Sequence, residues 1–185
     1  ELELWNDSNI IFTSDHGEEF YDHGEYFHKN IPYDKNIQVP LLVKNTKYNT
    51  NKIASQRELI DIAPTILDFH GLTPPATFEG EHLFSDRSRK IIATGSQQEQ
   101  DPVVAGRWDG IKYIYTPNRN YLFDLTDDPL ENNNLAAEQP DVCKEYREAI
   151  PNEYFSEDVE EELREPDSEV DKKRLEALGY LETKE

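Results

Sequence analysis

The sequence predicts an α/β chain that changes character near residue 85. There, alternating strands and helix give way to a small antiparallel unit with a packed helix. Three observations carry this reading. Two short β-rich runs, residues 9–13 and 39–43, bracket a polar, aromatic loop. A helical segment follows at 61–71. Beyond a further strand at 90–94, residues 103–125 alternate apolar runs with turn residues, as a meander does. The expected division is 1–85 for the α/β part, 86–152 for the antiparallel unit with its helix, and 153–185 for an acidic segment with a terminal docking helix.

Each element has a local reason. Asn9-Ile10-Ile11-Phe12-Thr13 reads as a buried strand that ends in Ser14-Asp15-His16-Gly17, a loop signature. Val39-Pro40-Leu41-Leu42-Val43 reads as a second buried strand with Pro40 near its start. In the helix, Asp61 is placed to cap the N-terminus and Gly71 suits the C-terminal cap. Pro64 is tolerable because the first turn does not use its missing N–H. Ile62, Ile66, Leu67 and Phe69 supply an apolar side, and His70 complements the dipole at the helix end. Asp109-Gly110 is a turn signal between strands, Pro117-Asn118-Arg119-Asn120 a second turn, and Tyr121-Leu122-Phe123-Asp124-Leu125 a last strand. Residues 138–150 are expected as a helix against this sheet. Residues 153–171 hold ten acids and one base, Arg164, and read as a solvated block. Leu175, Leu178 and Leu181 mark the docking helix, closed by Gly179.

Composition excludes several functions. The longest apolar runs fall far short of the roughly 20 residues a membrane helix needs. The first residues have neither the basic start nor the apolar stretch of a signal peptide. A cytoplasmic location is expected, with secretion left open because any signal peptide would precede residue 1. The chain contains no Met, which fits a piece of a longer protein. Cys143, the only cysteine, excludes an intrachain disulfide and a cysteine-cluster zinc site, and reads as a small buried side chain. With 39 acids against 19 bases, a net charge of −20, nucleic acid is not an expected partner. An anionic substrate would need positive charge supplied locally.

Residues 13–28 offer such charge. Three of the five histidines, His16, His23 and His28, fall in this stretch, with Lys29 beside the last. Asp15 and His16 follow a strand directly, where an open α/β sheet places functional groups. A carboxylate and an imidazole there could form half of a metal site, with other ligands from elsewhere. His23 and His28 could fold back over an anion.

Thr13-Ser14-Asp15-His16-Gly17-Glu18, Asp22-His23-Gly24, His28 and Val39-Pro40-Leu41 together resemble the second half of a sulfatase of the alkaline phosphatase superfamily. The likeness continues in order through Asp61-Ile62-Ala63-Pro64-Thr65-Ile66-Leu67 and Phe78-Glu79-Gly80-Glu81-His82-Leu83. It extends to Tyr121-Leu122-Phe123-Asp124-Leu125 with Asp128-Pro129, Glu131 and Asn134-Leu135-Ala136, and ends at Arg174-Leu175-Glu176-Ala177-Leu178-Gly179-Tyr180-Leu181. The resemblance implies an alkaline-phosphatase-like fold, with the C-terminal part of the main α/β sheet followed by the small antiparallel sheet. It implies that Asp15 and His16 are metal ligands, His16 alternatively a partner of the nucleophile. His28 falls where many relatives place a Lys that grips sulfate or phosphate oxygens, so either His28 or Lys29 takes that role. His23 is implied as a substrate contact or an outer support of the metal site; His82, in a turn, is not implied as catalytic. The implied metal is Ca²⁺ first, with Mg²⁺, Mn²⁺ or Zn²⁺ as alternatives.

Such enzymes also carry paired acids on their first strand and a C-x-P-S-R type motif whose Cys or Ser becomes formylglycine. Neither is present here; Cys143 is followed by Lys144-Glu145-Tyr146. The expectation is thus the C-terminal part of a hydrolase of small anionic sulfate esters, inactive alone, whose nucleophile lies in the other half. A phosphoesterase or phosphotransferase of the same superfamily is the alternative enzyme. A non-catalytic acidic module that binds cations or a protein is the alternative from another class.

Overall fold

The structure, a computed structural model, describes residues 4–24, 31–48, 52–86, 89–96 and 102–155. His28, Lys29, most of the acidic block and the terminal docking helix lie outside the described residues.

Two sheets organise the chain. β1 (Ile10–Thr13) and β2 (Leu41–Lys44) pair antiparallel, Ile10 opposite Lys44 and Thr13 opposite Leu41. Pro40 thus precedes β2 rather than lying inside it. Both strands were expected to be buried, and this is corrected: Phe12 is 59% and Leu42 65% exposed. Among the described residues each strand pairs only with the other, and Ile10, Phe12 and Leu42 on one side of the pair are exposed. Between them the expected loop holds a short helix, α1 (Asp34–Ile37), in which Asn36 is buried.

A 3₁₀ turn, Leu59–Asp61, runs into α2 (Ile62–Phe69). Pro64 sits in the first turn, as expected. Gly71 ends the helix at φ +69°, and the Gly71 and Leu72 amides donate to Asp68 and Leu67, each at 2.9 Å. This is a Schellman closure, which satisfies two orphan carbonyls. Two expectations are corrected. Asp61 does not cap α2 with its side chain. Its buried carboxylate instead accepts the Glu58 and Glu81 amides at 3.0 and 2.8 Å and pairs with Arg89 at 2.7 Å. Nor does Ile66 face a core, being 43% exposed; Pro64 and Thr65 are the buried residues of α2. Thr65 explains its own burial, since its hydroxyl donates to the Asp61 carbonyl and accepts the Leu83 amide.

The meander appears as expected. β3 (Ile91–Ser96), β4 (Pro102–Trp108), β5 (Ile111–Tyr115) and β6 (Asn120–Asp124) form an antiparallel sheet in chain order. Asp109 and Gly110 both take positive φ, as the Asp-Gly turn requires. The sheet is covered on both faces because side chains alternate between two cores. On one face Val104, Trp108, Tyr113 and Leu122 meet Cys143, Tyr146 and Ile150. Cys143, Tyr146 and Ile150 come from α3 (Pro140–Ala149) and the residue that follows it. Tyr146 stacks on Trp108 at 4.1 Å between ring centroids and donates its hydroxyl to the Trp108 carbonyl. Cys143 is buried, as expected, and burial raises its thiol pKa. On the other face Val103, Ala105, Ile114 and Phe123 receive Tyr33. Tyr33 is the residue before α1, so this second face presses the loop of the first half onto the meander.

Candidate metal and anion site

The loop after β1 is closed by its own polar atoms. The Ser14 hydroxyl donates to the His16 carbonyl at 2.7 Å, and the His16 amide donates to Asp15 Oδ1 at 3.0 Å. That amide holds the Asp15 carboxyl below its usual pKa, so Asp15 is an anion with both oxygens at an exposed position. His16 Nδ1 lies 2.7 Å from the Gly17 carbonyl. A carbonyl can only accept, so Nδ1 carries the proton and the lone pair resides on Nε2. The same contact raises the His16 pKa. Nε2 stands 3.9 Å from Asp15 Oδ1. A carboxylate oxygen and a ring nitrogen in the ligating tautomer, oriented by a backbone carbonyl, form the donor pair a divalent cation takes. The pair fits a metal as a partial site. Among the described residues no third His, Cys, Asp or Glu joins it.

Gly17 seats this loop on α1. Its amide donates to the Asn36 carbonyl at 2.7 Å, and a Cβ there would lie 1.9 Å from the Lys35 carbonyl oxygen. Only glycine permits that approach.

His23 is held at the other end of α1. Its ring stacks on Tyr33 at 3.8 Å, Nδ1 bonds the buried Glu19 carboxylate, and Nε2 donates to the Leu130 carbonyl at 3.1 Å. Burial pushes the Tyr33 hydroxyl pKa well up. Asp22 beside it accepts the Phe20 amide, which lowers its pKa, and pairs with Lys35 of α1 at 3.5 Å. A groove of about 270 Å³ opens here, lined by His23, Tyr33, Arg119, Tyr121 and Asn132 among others. His82 lies elsewhere, among Tyr48, Phe69 and Phe84 and 3.3 Å from Asp68.

Sequence reasoning missed the residues that bind these loops to the meander. Lys112 of β5 is fully buried and pairs with Asp34 at 2.7 Å and Glu131 at 2.8 Å. Glu131 also accepts the Asp34 amide at 2.6 Å, and Arg107 reaches Asp34 at 3.2 Å. The legible signal was small: Lys112 shares a strand face with Ile114, and a lysine there must be buried or interrupt the core.

A family profile described as Sulfatase matches residues 1–72. The chain is 29% identical over 167 residues to arylsulfatase K of Mus musculus, covering 77% of this chain and 29% of that protein. Over its first 72 residues the chain is thus similar to the sulfatases, and the likeness to arylsulfatase K extends it along most of the chain. The chain spans less than a third of that relative's length. In fold it matches the phosphonate monoester hydrolase of Agrobacterium radiobacter with a TM-score of 0.69 at 24% identity, over 80% of this chain and 35% of that one. It matches a 2-O GAG sulfatase with a TM-score of 0.67 at 21% identity, over 78% and 35%. The fold is therefore the alkaline-phosphatase-like α/β fold of the sulfatases, as the resemblance implied.

Proposed function

We propose that the chain supplies one side of the active site of a sulfatase-family hydrolase acting on small anionic sulfate esters. The observation that carries this reading is the Asp15–His16 pair, an ionised carboxylate and a correctly oriented imidazole at the end of β1. In this reading Asp15 and His16 bind a divalent cation, Ca²⁺ first, with ligands from the rest of the protein. The cation would polarise the ester and acidify the attacking hydroxyl, which the family's formylglycine provides. His28 or Lys29 grips the ester oxygens and His23 offsets charge developing on the substrate, its ring held in place by Glu19, Tyr33 and Leu130. The groove beside His23 receives the organic part of the ester. The nucleophile lies outside this chain, so the chain alone is expected to be inactive.

The test uses the full-length protein. Metal content and turnover of an aryl sulfate are compared for wild type, Asp15→Ala, His28→Ala and Lys29→Ala. Asp15→Ala should lose bound metal and at least about 100-fold in turnover, since even outer supports of a metal site cost 10–100-fold. One of His28→Ala and Lys29→Ala should lose turnover while keeping the metal. Unchanged metal and turnover in all three variants would overturn the reading. The fold shared with a phosphonate monoester hydrolase supports a second reading, in which the same residues serve a phosphonate or phosphate ester. A higher kcat/KM for an aryl phosphonate than for the matched sulfate would favour it.

A further inference from the structure

We infer that Lys112 is a positioning residue for the proposed site. Its buried ammonium clamps together the two backbone segments on which the Asp15–His16 loop and His23 rest. The inference rests on the reading of those three residues given above.

One arm runs through Asp34. Lys112 Nζ lies 2.7 Å from Asp34 Oδ1, and Asp34 opens α1. Two residues on, the Asn36 carbonyl takes the Gly17 amide, and the Lys35 carbonyl packs against Gly17 with no room for a side chain. Gly17 directly follows His16 and also accepts its Nδ1–H. A displacement of α1 therefore moves the metal pair. The other arm runs through Glu131, 2.8 Å from the same ammonium. Glu131 sits at φ +56°, fixed by Asp128, whose carboxylate takes the Asn132 and Asn133 amides at 3.1 and 2.8 Å. The residue before it, Leu130, offers the carbonyl that orients His23. The arms are tied to each other, since the Asp34 amide donates to Glu131 at 2.6 Å. Among the described residues the Lys112 ammonium is the one cation that touches both arms, with Arg107 3.2 Å from Asp34 as a second contact on the first, and it thus ties the metal pair to His23. A buried cation between two carboxylates is a poor way to gain stability alone but a good way to specify one arrangement.

The test again uses the full-length protein, with Lys112→Met, which removes the charge at similar side-chain length. Hydrogen exchange over residues 13–24 and 31–37 reports on the arms independently of activity, with 62–69 as reference. The expected result is faster exchange in both arms and not in the reference. With it, kcat for an aryl sulfate should fall about 10- to 100-fold at nearly constant KM. A folded variant with wild-type exchange and wild-type kcat would overturn the clamp. Faster exchange without any ester turnover by the wild type would sink the hydrolase reading and leave the clamp standing. If Lys112→Met does not fold, Asp34→Asn and Glu131→Gln are added to it, so that no buried carboxylate lacks its counter-charge. That triple variant should fold with loosened arms and low kcat; wild-type exchange and kcat in it would mean Lys112 serves only as a counter-charge.

Discussion

Gly17 shows how much one missing side chain can decide. Its motif value is that it follows Asp15 and His16, but its physical role is to let the loop touch α1 backbone to backbone. A Cβ 1.9 Å from the Lys35 carbonyl oxygen cannot be absorbed by a rotamer change, because the obstacle is main chain. Gly17→Ala should destabilise by about 1–3 kcal/mol, the usual range for overpacking. It should also weaken metal binding by the full-length protein, although no ligand is altered. Urea unfolding and metal titration check the two halves of this prediction, and wild-type values in both would refute it. At this scale the sequence was partly legible. Asp15, His16 and His23 could be singled out because polar titratable residues after a β-rich run are unusual. Glu19, Asp34 and Lys112 could not, because what makes them matter is a partner on another element.

At the scale of elements, ends were more legible than faces. Gly71 ends α2 as expected, since its φ of +69° is costly for any residue with a Cβ. Gly71→Ala should therefore cost about 1–2 kcal/mol, and a denaturation midpoint equal to wild type would refute that. The Asp-Gly turn and the strands beside it were legible for the same reason: turn chemistry acts within a few residues. The faces were not. Ile66 belonged to the apolar side of α2 by periodicity, yet Pro64 and Thr65 are the buried residues. Asp61 precedes a helix and by position suits a cap, yet it serves the Glu58 and Glu81 amides and Arg89. A buried carboxylate with three donors outcompetes the weaker gain from capping.

For the whole molecule, the contrast between the two sheets matters most. The meander is covered on both faces, whereas β1 and β2 expose Phe12 and Leu42. Phe12 lies directly opposite Leu42, and with Ile10 they put exposed apolar area on one side of the strand pair of a chain of net charge −20. The isolated 185-residue chain should accordingly bind an apolar fluorescent dye, and Phe12→Ser with Leu42→Ser should reduce that binding. Equal dye binding by wild type and double variant would show that the strand pair is not the apolar face that matters. Among the described residues no helix is long and apolar enough to cross a membrane.

The sequence by itself determined the meander, the Gly71 end of α2 and the order of family motifs, because each depends on residues close together in the chain. It also set apart the loop of residues 13–28, through its unusual density of imidazoles. Only the tertiary structure decided what holds that loop. The Asp34 amide meets Glu131 across 97 positions, and Lys112 meets Asp34 across 78. Burial and ion pairing over such separations follow from how the sheet and α1 pack, and no local pattern encodes them.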